Sequence, residues 1–239
     1  MNSEHNFVAD IVIGLEIHVG LATRSKLFCA CPNRATEQPN SFTCPVCLGH
    51  PGARPLLNAR AIEYALRLAL ALRCNVAPRL VFSRKTYFYP DLVKNFQTTQ
   101  YEEPIGSGGF VRIPGREIDL ERLHIEEDPG ALLHKDGYVL IDYNRSGTPL
   151  CEIVTKPQLH SAKEAREFVK KLLTMLQYLD IFDPAHSPLK ADLNVSIKET
   201  GYRRVEIKGV SGLKQIEDAL DYEILRQKNH PEDVLQETR

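Results

Sequence analysis

Residues 11–22 read IVIGLEIHVGLA. Taken alternately, Ile11, Ile13, Leu15, Ile17, Val19 and Leu21 form an unbroken apolar face, and Val12, Gly14, Glu16, His18, Gly20 and Ala22 form the other. A strand repeats every two residues, so the pattern predicts a half-buried strand with its aliphatic face on a core. Its outer face sets a carboxylate and an imidazole two residues apart, flanked by glycines that let a ligand approach the backbone. On a single strand, such a pair is as ordinary as any solvated surface. Recurrence is what gives it weight.

The same alternation returns three times. His124, Glu126 and Asp128 share one face of the run EIDLERLHIEED, while Leu123 and Ile125 share the other; by strict alternation Glu127 falls on the apolar side, unless Asp128-Pro129-Gly130 ends the strand early. In LKADLNVSIK, Asp192 and Asn194 alternate with Ala191, Leu193 and Val195; in RRVEIKG, Glu206 and Lys208 alternate with Val205 and Ile207. Solvated faces favour Lys and Glu, but His, Asp and Asn are ill suited to strands. If the four strands share one sheet, these residues form a polar floor on an aliphatic base. Carboxylates beside cations suit Mg²⁺, a hard ion that binds phosphates together with one or two carboxylates. The chemistry expected there is phosphoryl transfer, in which the metal offsets developing charge and the protein positions the reactants. With no Walker loop, kinase signature or dinucleotide fingerprint, the nucleotide is expected on a sheet face and not at a helix N-terminus.

Between the first strand and the rest lies residues 26–57, where Cys29, Cys31, Cys44 and Cys47 form C-x-C, twelve residues, then C-x-x-C. Two close pairs joined by a returning loop suit a tetrahedral structural zinc, a closed site with no open position for catalysis. Cys74 and Cys151 sit in apolar surroundings and read as core residues. Asn58 is placed to cap a helix reaching about Cys74, with Ile62, Ala65, Leu66, Ala69 and Leu70 on its buried face. Residues 84–101 break the periodicity. There Arg84, Lys85 and Lys94 interleave with Tyr87, Phe88, Tyr89 and Phe96, and such a cationic aromatic loop suits a nucleotide or phosphorylated ligand. GSGG at 106–109 lacks a following helix and reads as a hairpin turn. Strands VRI, EIDLERLHIEED, YVLIDYN and PLCEIVT follow; Ser161 and Glu164 form a capping box for a helix to about Asp180, and a last helix covers roughly 212–229. The fold class is α+β, a largely antiparallel sheet with flanking helices, read as one domain over 1–239 with the zinc knuckle as a subregion.

With 30 basic against 31 acidic residues, the net charge of −1 does not indicate a globally basic nucleic-acid binder and leaves room for a local basic patch. No apolar run is long enough to span a membrane, and the polar start MNSEHNFVAD lacks a signal peptide's pattern. A cytoplasmic protein without membrane contact is expected. Its six cysteines then need a reading other than disulfides.

The stretches GLEIHVGLATRSKLFCAC, CPVCLGHPGARPLLN, RKTYFYPDLVKNFQTTQY, HIEEDPGALLH, DYNRSGTPLCEIV, ADLNVSI and VEIKGV closely resemble the GatB family of aspartyl/glutamyl-tRNA amidotransferase subunits, collinearly over essentially the whole chain. The resemblance implies that family's cradle domain, a fold similar to the glutamine synthetase catalytic domain. It implies an ATP-dependent carbon–nitrogen ligase that uses Mg-ATP to phosphorylate the side-chain carboxylate of Glu or Asp misacylated on tRNA. Ammonia delivered from a separate amidase subunit then displaces the phosphate. Carried across, Glu16 and His18 look like metal ligands, completed by Glu126 or Glu127, and Asp192 and Glu206 resemble further acidic members of the Mg-ATP site; with Lys208 they make the expected catalytic set. Arg84, Lys85, Tyr87, Lys94, Asn194 and Arg145 make the expected cofactor-binding set, with Lys85, Tyr87 and Lys94 also placed where the family lines its ammonia route. The four cysteines match a zinc knuckle of many members.

Family members usually carry Asp at Ser83, Asn at Thr86, a Pro-Lys-Gly-Tyr-like run at 93–96 and Asn at Gly209. The resemblance also ends at Arg239, where the family continues into helical and tail domains that grip tRNA. Three readings follow. The chain is a piece of a tRNA amidotransferase subunit; or it is a stand-alone ligase for a small-molecule or carrier-bound carboxylate, with aminoacyl-tRNA set aside for want of those domains; or it is a non-catalytic zinc-stapled scaffold.

Overall fold

In a computed structural model that describes residues 9–185, 187 and 189–239, the opening alternation forms strand β1 (Ile11–Gly20). Residues 1–8, most of the polar start, lie outside the described residues. Helix α1 (Ala59–Ala71) follows, then the short strands β2 (Asn75–Val76), β3 (Ser83–Thr86), β4 (Phe96–Thr99) and β5 (Gly106–Ser107). Strands β6 (Phe110–Ile113), β7 (Arg116–Glu127), β8 (Ala131–Lys135), β9 (Tyr138–Asp142) and β10 (Pro149–Thr155) lead to α2 (Ala162–Tyr178). Strands β11 (Lys190–Ile197) and β12 (Val205–Ser211), helix α3 (Leu213–Asn229) and β13 (Glu237–Thr238) complete the chain.

The main sheet has nine strands, in the order β13-β12-β11-β1-β10-β7-β5-β2, with β6 also paired to β7. Every pairing in it is antiparallel except β12–β13. β1 is a central strand, and its register brings Glu16 opposite Asp192 on β11 and His18 opposite Glu152 on β10. On the core face Ile13, Leu15, Ile17 and Val19 are buried with Leu193, Val195, Leu123, Ile125 and Ile153. Helices α2 and α3 pack on each other, and α3 lies along β11 and β12. Phe168, Leu172, Ile216 and Leu220 supply their apolar stripes. Each such side chain gains about 1.5–3 kcal/mol on burial, so the sheet's two faces are fixed by the aliphatic positions. The polar set must point the other way.

The helix caps follow the expected chemistry. Asn58 accepts from the Arg60 and Ala61 N–H groups; Ser161 accepts from Glu164 N, and the Glu164 carboxylate reaches back to His160 N. Cys74 and Cys151 are buried in the core.

Several local expectations are corrected. In α1, Leu70 is 67% exposed while Ala61 and Leu68 are buried; ALRLALAL places leucines on two opposite sides of the helix, Leu66 and Leu70 against Leu68 and Leu72, so periodicity alone does not single out the inward stripe. Part of the loop expected at 84–101 is a two-stranded hairpin, β3 against β4. Strand β8, a partner of β9, has no counterpart among the expected strands, because Ala131 and Leu132 are only half-buried, Leu133 is exposed and no inward face shows in the pattern. Residues 106–109 are no hairpin turn: Gly106 and Ser107 pair with β2 and β7, and a kink at Gly108 and Gly109 passes the chain to β6. A Cβ at Gly109, whose φ is +88°, would stand 2.4 Å from the Leu72 carbonyl oxygen, so only glycine fits.

Candidate functional site

The polar positions of the four alternating strands do meet. They line the outer face of five adjacent strands, β12, β11, β1, β10 and β7. His18 Nδ1 lies 3.2 Å from Glu126 Oε1 and 3.8 Å from Glu152 Oε2, and His18 Nε2 lies 3.9 Å from Asp192 Oδ2. Asn194 donates to Glu16 at 3.1 Å. Lys208 Nζ stands 3.3 Å from both Asp192 and Glu206, and Glu206 also accepts from the Thr238 hydroxyl. The Gly209 N–H donates to Asp192 at 2.7 Å. A cleft of about 800 Å³ opens over this floor, with Lys85, Tyr87, Arg145 and Asp128 on its walls.

The sequence reading missed one residue at the centre. Glu152 on β10 stands between β1 and β7, only 7% exposed, with His124 Nε2 at 3.4 Å. Its signal was present: in PLCEIVT it is the single charged residue of a strand otherwise apolar but for its last threonine. Arg122, on the same face of β7, is also absent from the expected set; it lines the recess beside Glu16, Arg84, Lys85 and Glu126.

Not every nominated residue joins the floor. Glu126 faces His18, whereas Glu127, on the opposite parity of β7, is ion-paired with Lys94. That pair lies in a separate cavity of about 390 Å³, between the cysteine loop and the β3–β4 hairpin. Arg84 borders that cavity and the Arg122 recess, with its guanidinium over the Phe96 ring. Lys85, Tyr87 and Arg145 reach the cleft; Arg145 Nε holds Asp128 at 2.9 Å and the guanidinium also donates to the carbonyls of Pro129 and Gly130.

The electrostatics are those of a concentrated acid–imidazole cluster. Burial pulls His124 down, but the hydrogen bonds and charges of Glu126 and Glu152 prevail and push it up to about 9. His18 is likewise raised against its desolvation by Glu126, Glu152 and Asp192. Glu126 falls to about 2 despite burial, because His124 and His18 donate to it. Asp128 is pushed up to about 6 by burial, which outweighs Arg145.

His18, Glu126 and Glu152 each offer a ligand atom, all within 4.8 Å of one another. Among the described residues, His124 Nδ1 and Asn194 Oδ1 are buried polar atoms without a hydrogen-bond partner. A second quartet is separate. The sulfurs of Cys29, Cys31, Cys44 and Cys47 also lie within 4.8 Å of one another, Cys44 and Cys47 at 3.8 Å. Metal–sulfur bonds of about 2.3 Å in a tetrahedron put sulfurs about 3.8 Å apart, so the quartet fits zinc.

No helix among the described residues is long and apolar enough to cross a membrane. Residues 11–239 match the family described as the GatB/GatE catalytic domain. The B-type aspartyl/glutamyl-tRNA(Asn/Gln) amidotransferase subunit from Methanoregula boonei is 49% identical over 233 residues, 92% of this chain and 48% of the relative. Its namesakes from Saccharolobus solfataricus and Thermus thermophilus are 48% and 49% identical, each over 91% of this chain. The chain thus spans about half the length of the curated relatives it matches. With the match running through both the acidic floor and the cysteine quartet, this chain belongs to the GatB/GatE catalytic-domain family.

Proposed function

We propose that this chain is the carboxylate-activating unit of a tRNA-dependent amidotransferase, built as one glutamine-synthetase-like catalytic domain with the knuckle at 26–57 as its staple. The observation that supports it most is the convergence of His18, Glu126, Glu152 and Asp192, from four strands, on one patch. Those residues, with Glu16 and Glu206, would hold Mg²⁺, which when bound offsets the charge of a triphosphate. Lys208, Lys85 and Arg145 on the cleft supply fixed cations for the transferring phosphoryl group. A carboxylate is a poor acyl donor, and phosphorylation supplies its leaving group. The acid's oxygen bonds to the γ-phosphorus of ATP as the bond to the β-phosphate oxygen breaks and ADP leaves. Ammonia then bonds to the acyl carbon as phosphate departs. The relatives' names point to Asp or Glu carried by tRNA as the source of that carboxylate, and an amidase partner is the proposed source of ammonia.

The test is ATP turnover with hydroxylamine as trap. Glu-tRNA(Gln) or Asp-tRNA(Asn) with ATP and Mg²⁺ is expected to give ADP and the side-chain hydroxamate. ADP with a free or carrier-bound acid but none with the aminoacyl-tRNAs would transfer the reading to a stand-alone ligase. No ADP with either leaves a scaffold and overturns it.

A further inference from the structure

Lys26 is fully buried, the one lysine or arginine among the described residues to be buried. Its ammonium donates to the Phe42 carbonyl at 2.8 Å and the Tyr143 carbonyl at 3.4 Å, and lies 3.7 Å from the Cys47 sulfur. Among the described residues no carboxylate forms an ion pair with it. An unpaired buried charge costs several kcal/mol, so a lysine kept in such a place has an anionic neighbour. The cysteine quartet is the candidate on hand. A divalent ion on four thiolates retains two negative charges, and Lys26 lies against one of them with its stem walled in by the turn that carries Gly147, whose added Cβ would meet Lys26 Cδ at 3.6 Å.

We propose that Lys26 is the fixed counter-cation of the cysteine quartet, a positioning residue that sets the quartet's affinity for a tetrahedral divalent ion and ties the loaded knuckle to the turn at 142–147. The proposal rests on the zinc reading of the quartet. The stitching around it is dense. Asn40 and Phe42 donate from the cysteine loop to Asp142 and Asn144, Tyr143 N donates back to Asn40, and Ser146 donates to the Cys47 carbonyl. Arg145 leaves the same turn to hold Asp128 at the wall of the cleft. Lys26 is therefore the cation through which charge on the sulfurs is felt by the backbone that presents Arg145.

The discriminating variants are Lys26→Met, which keeps the stem and removes the charge, and Lys26→Gln, which keeps a donor. Stripped full-length protein is titrated with Co²⁺, read by the thiolate charge-transfer absorption, and with Zn²⁺ against a chromophoric chelator. Wild type is expected to take one ion per chain at the quartet. Both variants are expected to bind it at least tenfold more weakly, while the metal-free Met variant melts no lower than wild type, because a buried charge has gone. Hydrogen exchange over 142–147 should slow on zinc loading in wild type and much less in the variants. Affinities within twofold of wild type would overturn the proposal, as would a metal-free Lys26→Met protein that melts lower yet binds zinc normally, the mark of a merely structural lysine. Should the Met variant not fold, the Gln variant's affinity decides. A wild-type protein with no thiolate–cobalt band would instead sink the zinc reading beneath it.

Discussion

His18 Nδ1 stands 3.2 Å from Glu126 Oε1 although 108 positions separate the two residues and strand β10 runs between their strands. Both side chains reach over Glu152, whose carboxylate lies within 3.8 Å of His18. The intervening strand therefore supplies a carboxylate to the cluster and not only spacing. Glu152→Gln is expected to preserve the fold, since an amide replaces a buried carboxylate of equal shape. Mn²⁺ affinity, measured by calorimetry, and carboxylate-dependent ADP formation should each fall on the order of 100-fold. A variant that binds Mn²⁺ as wild type does would remove Glu152 from the ligand set.

The imidazoles make the metal-free cluster pH-sensitive in a defined sense. His124 has its folded pKa raised to about 9, above about 6.5 for an unfolded histidine. Its contribution to stability is therefore fully present below about pH 6.5 and is lost as pH rises through about 9, a change on the order of 3 kcal/mol. Urea unfolding in chelator at pH 6.5 and pH 9 should show that loss, and His124→Gln should abolish most of the difference. With Mn²⁺ present the dependence reverses in part, because ions compete with the protons of His18 and His124 and bind more tightly as pH rises.

The sheet and most of the cluster were legible because both follow one rule. Alternation marked β1, β7, β11 and β12, and the residues opposite their aliphatics could only face outward. Strand order was not legible, so the place of β10 was unknown and Glu152, the one charged residue of PLCEIVT, was not nominated. Side chains beyond the alternating strands were harder still. Arg84 sits on β3 and Lys94 in the loop that leads to β4, a hairpin that packs against β7, and no periodicity in RKTYFYPDLVKNF announces that pairing. Parity did place Glu127 away from the floor. Only the fold supplied its partner.

That partner makes a further prediction. Lys94 and Glu127 form a largely buried ion pair, and Glu127 in addition lends its carbonyl to Gln97. Lys94→Met strands a carboxylate that is 6% exposed and should cost about 3–5 kcal/mol in urea unfolding at pH 7. Lys94→Met with Glu127→Gln should recover most of it. A single variant as stable as wild type would mean the pair is solvated in solution.

Arg145 and Asp128 couple the turn after β9 to the chemistry proposed for the cleft. Asp128 lies at about 6, raised by burial and already held down by Arg145 at 2.9 Å. A raised carboxylate contributes stability below its unfolded value of about 3.8 and loses it as pH rises through about 6. Arg145→Ala removes the lowering charge, so Asp128 should titrate above 6 and the cleft should carry less negative charge at neutral pH. The acid limb of the pH–rate profile for ADP formation is therefore expected to move to higher pH, with a smaller movement in Arg145→Lys, which keeps the charge without the fork that also holds the Pro129 and Gly130 carbonyls. Asp128→Asn should eliminate that movement in the Arg145→Ala background; persistence of the shift there would assign the limb to another acid of the floor.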